Sequence, residues 1–427
     1  MGSSAVRPLV LQFLIGKEGG GVGVMAGYVD VALRQSGLAS GLLVCRQGPL
    51  SPSLVRIEQR GATAWRTGAT EYRPVLWRCK GAPIPNLSAM LKNVRHAAQS
   101  NGFLRELLPQ IRPVLVVCHQ VENLGWVAPA CREQGIPLVS YLHKTLAHGG
   151  LRGVFDVHRL NRFASHVVAV SHSAIEASAG RLRTPWTVIH NPVDPSCVVP
   201  VGDLRGKLGI DANAVVVASA GRITSGKGLH HFLDMAYLVS RQRPDVRFII
   251  AGEPSKEADH AYKQSLHVQA ERLGLTARVF FSGWVSMDEL LGATDIFCLT
   301  STVSEGFGLV VVESMAAGKA TIASPRGGPK EILSEGGGIL IDPLDSQKLA
   351  SAVVALVDAP DERARLGQTA RRIACDRFSL DVWKEKLLRV FAQVSPAVGK
   401  LLAGARDDGC SQPDDEGSLA GRAHESS

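Results

Sequence analysis

Residues Ser304–Gly318 read SEGFGLVVVESMAAG, and they come shortly after the apolar run Ile296–Thr300. The order is a strand, a glycine-containing turn and a helix, which leaves free backbone N–H groups at the helix start. Those donors and the helix dipole favour a bound phosphate. Glu305 precedes the helix and Glu313 lies within it, so two carboxylates could accept hydrogen bonds from sugar hydroxyls. A helix cap and a surface residue would explain each glutamate alone, but not the whole string.

Short apolar runs alternate with amphipathic segments along most of the chain. Runs buried on both faces and separated by helices are typical of parallel sheets. The predicted strands are Leu9–Ile15, Leu42–Cys45, Val114–Cys118, Leu138–Tyr141, His166–Val170, Ala214–Ala220, Arg247–Ala251, Val279–Ser282, Ile296–Thr300, Ala320–Ala323 and Gly338–Ile341. The predicted helices of the second series are Leu229–Arg241, Met287–Ala293, Gly308–Ala317 and Gln347–Asp358. The segment Gly48–Asn86 has no clean period, and we interpret it as strand pieces and loops.

The length of 427 residues exceeds what one hydrophobic core usually supports, so the sequence predicts two α/β domains. The prolines of Asn191–Pro195 suit a linker, which places the domains at 1–193 and 194–378. A final amphipathic helix is expected over 379–395, packed back on the first domain. Residues 396–427 turn polar and are expected to be disordered, because they cannot bury enough apolar surface.

Composition and charge exclude several classes of protein. The chain has no run of five Lys and Arg, which argues against nucleic acid as a partner, and no apolar stretch of 18 residues, so no membrane span is predicted. None of the eight cysteines has CxxC spacing, which favours a reduced, cytoplasmic protein. The net charge of +8 fits a solvated basic surface, or attraction to phosphorylated ligands or to the inner face of an anionic membrane.

Five further stretches accompany Ser304–Gly318: Ala220–Gly228, Phe281–Trp284, Leu290–Cys298, Gly327–Glu331 and His190–Asp194. Together they resemble the retaining glycosyltransferases of family four, also called group 1, whose signature is two glutamates separated by seven residues. The likeness is strong over about 165–390 and weaker before that. It implies the GT-B fold, in which two Rossmann-like domains face each other across a cleft.

The resemblance also implies roles for individual residues. Glu305 would contact the donor sugar and Glu313 the ribose hydroxyls, while Arg222 and Lys227 would neutralise the diphosphate. Further donor contacts are implied for Gly20, Gly21, Trp284, Gly306, Phe307, Gly308 and Leu309. Two cations and a helix start can stabilise a leaving diphosphate, and the chain has no Asp-x-Asp element, so no metal and no cofactor are expected.

Two histidines, His119 and His143, each follow an apolar strand. The family places a histidine at the cleft, and the string VSYLH ending at His143 matches that position better than His119 does. A lone histidine is equally well explained as a core or surface residue. Lys144 stands where the family has Gly or Asp, which points to a different acceptor.

The resemblance predicts sugar transfer with retention of the anomeric configuration through front-face attack, with UDP as the default base of the donor. The acceptor could be a sugar, a lipid-linked molecule or a small metabolite. Three alternatives stay open. The loop Gly19–Gly27 contains a G-x-G-x-x-A match and could serve an NAD(P)-dependent oxidoreductase. The scaffold could instead belong to a non-catalytic binding protein, or to a phosphorylase or nucleotide-sugar hydrolase.

Overall fold

The structure, a computed structural model, describes residues 7–15, 21–45, 49–68, 76–79, 82–146, 150–194, 201–255 and 257–407. The strands of the first half are β1 Leu9–Leu14, β2 Ala39–Val44, β3 Thr63–Arg66, β4 Leu76–Cys79, β5 Ala82–Pro85, β6 Leu115–Cys118, β7 Leu138–Leu142, β8 His166–Ala169 and β9 Trp186–Val188. Within these ranges, β4 and β5 pair as an antiparallel hairpin, and the other strands form one parallel sheet of order β3-β2-β1-β6-β7-β8-β9.

The second half repeats this plan with its own sheet. Its strands are β10 Val216–Ala220, β11 Arg247–Ala251, β12 Val279–Gly283, β13 Ile296–Leu299, β14 Ala320–Ala323 and β15 Ile339–Leu340. They are parallel and lie in the order β12-β11-β10-β13-β14-β15. In each sheet the order reverses beside the first strand, and ligands of open α/β sheets bind at the carboxyl ends of the strands around that point.

Helices cover both sheets. Those of the first half are α1 Gly21–Gln35, α2 Pro52–Gln59, α3 Leu87–Ile111, α4 Leu124–Glu133, α5 Gly150–Phe163 and α6 His172–Ala179. Those that follow are α7 Leu204–Lys207, α8 Leu229–Ser240, α9 Glu257–Arg272, α10 Met287–Ala293, α11 Leu309–Ala316, α12 Gly328–Ile332, α13 Ser346–Asp358, α14 Pro360–Phe378, α15 Leu380–Val394 and α16 Pro396–Asp407. The central strands, such as β6 and β13, are fully buried, as runs covered on both faces must be. The prediction of two Rossmann-like layers is therefore confirmed.

Two expectations are wrong. The segment Gly48–Asn86 contains the helix α2 as well as strands, because Leu54 and Ile57 lie one turn apart and bury one face against the sheet. The predicted disorder from residue 396 is contradicted up to Asp407 by α16. Its sequence PAVGKLLAGARD carries an apolar stripe, and Val398 is fully buried in the main core. Residues 408–427 lie outside the described residues.

The two halves are joined by two crossings of the chain that lie side by side. The backbone N–H of Val193 donates to the carbonyl of Phe378 over 2.8 Å, and Val193 pairs with Ser379 as a short parallel bridge. Beyond this point α15 returns to the first half, where the indole N–H of Trp383 donates to the Tyr141 hydroxyl over 3.0 Å. Both side chains are fully buried, so α15 is part of the first half's core.

Candidate active site

A half-buried ion pair lies at the carboxyl edge of the second sheet. Lys227 Nζ donates to Glu305 Oε1 over 2.7 Å, and the hydroxyl of Ser301 donates to the same oxygen. Lys227 follows β10 and Glu305 follows β13, its neighbour in the sheet. The pair thus forms because adjacent parallel strands deliver their following loops to one edge. Their side chains are 21% and 15% exposed, so each charge is shielded yet reachable.

Arg222 lies beside this pair and has no ion-pair partner among the described residues. It lines a small pocket together with Lys227 and the backbone that ends β10. Its side chain is exposed and makes no hydrogen bond or ion pair with a residue that the structure describes. Gly221, with φ of 145°, lies against Lys227, whose Cε would be 3.5 Å from a side chain placed there. An unpaired guanidinium and a lysine close together at one sheet edge suit an anionic ligand.

The Gly327-Gly328 pair shapes the loop that carries Glu305. Gly327 pairs with Glu305 as a short parallel bridge, and the N–H of Gly328 donates to the Glu305 carbonyl over 2.9 Å. A Cβ on Gly327 would overlap the Glu305 carbonyl, and one on Gly328 would overlap the backbone of Phe307. Only glycine allows these two loops to touch, so the glycines fix the position of Glu305.

Helix α11 begins directly after this loop without a side-chain cap. Its N-cap residue is Gly308, with φ of 102°, which favours glycine. The first N–H groups of a helix have no partner within it, so this end is available to an anion. The Phe307 side chain is buried and packs against Phe378, with 6.0 Å between ring centroids. Phe307 therefore anchors the loop.

Glu313 lies in the second turn of α11 and is half-buried. Burial and, to a smaller extent, the nearby charge of Asp288 together raise the pKa of its carboxyl to about 7. The group has no hydrogen-bond partner among the described residues, which leaves it free to accept hydrogen bonds from a ligand's hydroxyls.

Residues of the first half face this loop at close range. A Cβ on Gly306 would lie 2.5 Å from the carbonyl oxygen of His143, so the two backbones touch. The hydroxyl of Ser171 donates to the Gly306 carbonyl over 2.6 Å. Gly21, at the start of α1, would meet the side chain of Leu309 at 3.2 Å. The edges of the two sheets thus meet around the predicted donor loop.

Glu331 makes the most connected contact between the halves. Its carboxylate, on α12, accepts hydrogen bonds from the backbone of His172 at 2.8 Å and of Ser173 at 2.7 Å, and from the Ser173 hydroxyl at 2.6 Å. His190 Nε2 lies 3.2 Å from Glu331 Oε2, the oxygen that also accepts from His172. Burial alone would raise the pKa of Glu331, but the hydrogen bonds from His190, Ser173 and His172 bring it down to about 2. The carboxylate therefore stays charged at the start of α6.

Comparison with known families agrees with this arrangement. The model named "Glycosyl transferases group 1" matches residues 201–373, and the model named "Glycosyltransferase Family 4" matches residues 19–196. The chain belongs to the group 1 glycosyltransferases. The two matches divide the chain where its two sheets divide it.

Relatives of this group 1 glycosyltransferase match different shares of the chain. The structure of HepE from Anabaena, in complex with UDP and glucose, is 25% identical with a TM-score of 0.74, and the match covers 90% of this chain and 99% of HepE. Alpha-maltose-1-phosphate synthase of Mycolicibacterium smegmatis is 31% identical over 49% of this chain and 55% of its own length. D-inositol 3-phosphate glycosyltransferase of Segniliparus rotundus is 30% identical over 62% of each chain. The chain thus spans about half to three fifths of the curated relatives it matches.

Trp284 and Gly20 are the remaining predicted donor contacts of this group 1 family member. Trp284 follows β12 and is 77% exposed, so its indole face is accessible. Gly20 lies outside the described residues. Among the described residues, no cluster of three or more His, Cys, Asp or Glu could hold a metal, and no helix is long and apolar enough to cross a membrane. The expectation of a metal-free reaction stays a prediction.

Three residues that contact the site are not predicted by the sequence: Ser301, Ser171 and Gln12. Ser301 bonds Glu305, Ser171 bonds Gly306, and Gln12 contacts His119 over 3.0 Å. Gln12 did carry a signal, because it is a lone polar residue inside the apolar strand LVLQFL, and a buried amide needs hydrogen-bond partners. The two serines carried none, since their partners lie in loops whose approach depends on the packing of distant segments.

Proposed function

We propose that this chain transfers a sugar from a nucleoside diphosphate sugar to an acceptor hydroxyl, with retention of the anomeric configuration. The observation that carries the proposal is the Lys227–Glu305 pair, which lies between the uncapped start of α11 and the backbone of His143. A lysine, the open guanidinium of Arg222 and helix N–H groups suit a departing diphosphate. A carboxylate in the same place suits sugar hydroxyls.

The reaction would run on one face of the sugar. The bond from the anomeric carbon to the phosphate oxygen breaks, the acceptor oxygen bonds to the same face, and the acceptor's proton passes to the departing phosphate. Glu305 is held by Lys227 and Ser301, so it serves hydroxyl binding and leaves the phosphate to take the proton. The supporting relative is HepE, whose structure holds UDP and glucose, which favours a UDP-sugar donor.

A binding test identifies the donor. Ligands that bind only the folded state raise the melting temperature by mass action. We expect one nucleoside diphosphate, UDP first, to raise the melting temperature of the wild type, and Lys227→Ala to lose that shift. Lys384→Ala is the control, because Lys384 is 24% exposed and pairs with Asp381 at 2.8 Å, much as Lys227 pairs with Glu305. A shift with NAD(P) and none with UDP, GDP or ADP would contradict the proposal.

The anomeric outcome is tested separately. With the donor identified, proton NMR of the first product formed distinguishes the two anomers by their coupling constants. We expect the configuration of the donor to be kept. An inverted product would overturn the front-face route while leaving the donor site intact.

The oxidoreductase alternative finds less support. A dinucleotide fingerprint places its first glycine in the tight turn at the strand's end. Here β1 ends at Leu14 and the matching glycine is Gly21, which already begins α1. A non-catalytic binding protein would not need the Lys227–Glu305 pair to be kept with an open Arg222 beside it.

We further propose that the acceptor is met at an anionic lipid surface. The outer face of α3 exposes an apolar stripe of Leu87, Leu91 and Val94, which are 68%, 72% and 68% exposed. From residue 72 to 105 the sequence has no Asp or Glu, while Lys and Arg occur at 73, 78, 80, 92, 95 and 105. A sequence segment that combines an apolar helix face with cations and no acidic residues complements an anionic bilayer.

Vesicle sedimentation tests this surface. The wild type is expected to sediment with vesicles of phosphatidylglycerol and phosphatidylcholine at low salt, and much less with phosphatidylcholine alone. The double variant Leu91→Ser, Val94→Ser should lose most of this binding. Val268→Ser is the control, because Val268 is 57% exposed on α9, a helix that also carries Glu257, Asp259 and Glu271. Equal binding by all three proteins, or a stable dimer broken by the double variant, would overturn the membrane assignment.

A further inference from the structure

A buried chain of polar groups leads from the first sheet to His143. Gln12 Oε1 lies 3.0 Å from His119 Nε2, and His119 Nδ1 lies 2.8 Å from His143 Nε2. Gln12 and His119 are 0% and 2% exposed, so the link between them is shielded from bulk water. The three residues follow or lie in neighbouring strands, because β1, β6 and β7 are adjacent in the sheet. The order of donors and acceptors along this chain can be read from its far end.

The far end fixes the amide of Gln12. Its Nε2 lies 3.2 Å from the carbonyl oxygen of Ala26 and 3.4 Å from the hydroxyl of Ser40. A backbone carbonyl only accepts, so the amide NH2 group must face Ala26. The flipped amide would set two oxygens against each other in a buried site. Gln12 Oε1 is therefore the acceptor toward His119, which must carry its proton on Nε2.

Pairing each donor with an acceptor also fixes the proton positions on the two imidazole rings. Burial lowers the pKa of His119 to about 3, and burial followed by the neighbouring His119 lowers the pKa of His143 well below its usual value, so both rings are neutral at pH 7. A neutral His119 with a proton on Nε2 has a bare Nδ1. That nitrogen accepts from His143 Nε2, which leaves His143 Nδ1 as the bare nitrogen. The Nδ1 atom has no partner among the described residues.

We propose that Gln12 and His119 act as positioning residues that hold His143 in one tautomer, with Nδ1 as a fixed hydrogen-bond acceptor at the cleft. The opposite tautomer would leave two lone pairs facing each other at a buried contact, which is the costly case for polar groups. Tyr141 adds rigidity, since its ring stacks on His143 with 4.6 Å between centroids and its hydroxyl accepts from Trp383.

The use of that lone pair rests on the proposed function. The His143 backbone touches Gly306, the neighbour of Glu305, so the imidazole borders the predicted donor sugar. A fixed acceptor there would bind a hydroxyl of the donor sugar or of the acceptor. A histidine free to exchange tautomers would present a donor at Nδ1 for part of the time and would orient that hydroxyl less well.

The tautomer is measured without any substrate. Long-range 1H–15N correlation spectra of protein labelled at histidine distinguish Nδ1–H from Nε2–H rings. We expect both His119 and His143 to show the neutral Nε2–H pattern at pH 7.5, with assignment through the single variants of each. An Nδ1–H pattern for His143, or rapid averaging, would overturn the proposal. Because no donor is present, this result is independent of whether the chain transfers sugar.

A pair of variants separates positioning from packing. In His119→Asn the side-chain oxygen can occupy the place of Nδ1 and accept from His143, whereas His119→Leu fills space without an acceptor. We expect the Asn variant to keep kcat within about threefold and the Leu variant to lose about 10- to 100-fold, within the range of one lost proton-handling contact, with KM for the donor little changed. His143 in the Leu variant should also lose its single tautomer. Equal kinetics in two folded variants would contradict the positioning role of His119.

Discussion

The two sheet edges that meet at the cleft use opposite kinds of polar chemistry. The second edge carries full charges, with Lys227 bonded to Glu305 and Arg222 unpaired beside them. The first edge carries neutral groups, with His143 and His119 linked to Gln12. Charges suit a partner that is itself charged, while neutral donors and acceptors suit hydroxyls. One scaffold, built twice, can therefore present full charges at one sheet edge and neutral hydrogen-bonding groups at the other.

A substitution at the charged edge should lower kcat more than a substitution at the neutral edge. Lys227→Ala removes a cation that would face the departing diphosphate and leaves Glu305 without its ion-pair partner. We expect kcat to fall about 10³-fold, as when one preorganised donor is lost from a transition state. The measurement is the initial rate of sugar transfer with the donor saturating. A loss no greater than that of Lys384→Ala would remove Lys227 from the reaction.

The contact between the edges is tested at Gly306. In Gly306→Ala the new Cβ would lie 2.5 Å from the His143 carbonyl and 3.0 Å from Cα of Lys144, so the halves must move apart. We expect a loss of about 10- to 100-fold in kcat, the scale of a displacement near 1 Å at a reaction centre. Nucleoside diphosphate affinity, measured by calorimetry, should change little because Lys227 and Arg222 are untouched.

Gly102 supplies the control for that substitution. It lies in α3, where a Cβ would meet no other atom within 4 Å, so Gly102→Ala adds the same methyl group without a contact. Equal loss of nucleotide affinity and of kcat in Gly306→Ala would show that the substitution disrupts the charged edge as well, and would break the separation of roles.

Glu331 joins the edges through hydrogen bonds to its charged carboxylate. Its pKa of about 2 means that its stabilising contacts are present above the unfolded value of about 4.5 and are lost as pH falls toward 2. Glu331→Gln should lower the free energy of unfolding at pH 7 by about 2 kcal/mol, the scale of hydrogen bonds to a charged group. Urea titrations at pH 7 and pH 3 should show this difference shrinking in acid.

The neighbouring Glu335→Gln is the matched control. Glu335 is 61% exposed and pairs with Arg377 at 3.0 Å, so its loss should change stability by less than about 1 kcal/mol. If both glutamates cost the same at pH 7, the contact between α12 and α6 contributes nothing specific.

The smallest effect is expected at Glu313. Its raised pKa means that the folded protein carries an unfavourable charge above about pH 7, so stability from this group falls as pH rises from 4.5 to 7. Glu313→Gln should be the more stable protein at pH 8, by about 1 kcal/mol after allowing for its partial exposure, and equal to the wild type near pH 4. Its nucleotide affinity should be lower at pH 8, where a charged carboxylate would bind the ribose best.

Thermal melts of Glu313→Gln and the wild type across this pH range provide the check. Glu385→Gln, whose side chain is 63% exposed, should follow the wild type at every pH. A Glu313→Gln protein that parallels the wild type as well would mean that Glu313 titrates normally.

Much of the fold could be predicted because strong local signals coincide with the final structure. Arg247–Ala251, Met287–Ala293 and Ala320–Ala323 were predicted to the residue, since each is an apolar run or periodic segment with clear ends. α16 was missed because the polar residues after it dominate the composition of the tail. Its apolar stripe is stabilised only by packing that the local sequence does not reveal.

The site was predictable where a motif carried it and not where distant segments meet. The approach of Lys227 to Glu305 could be expected from strands that lie side by side, since both residues follow them. The hydrogen bonds from His172 and Ser173 to Glu331 link α6 and α12, which lie in different halves and about 160 residues apart in the chain. No local pattern encodes such a contact, because it depends on how the two halves are set against each other.

The bridge between Val193 and Ser379 has a mechanical consequence. Within the described residues, the two segments of chain that connect the halves are hydrogen-bonded to each other at this point. Sliding of one half over the other would break that bond, whereas turning about it would not. Any parting of the cleft should therefore resemble a book turning on its spine, with displacement growing with distance from Val193 and almost none at the spine itself.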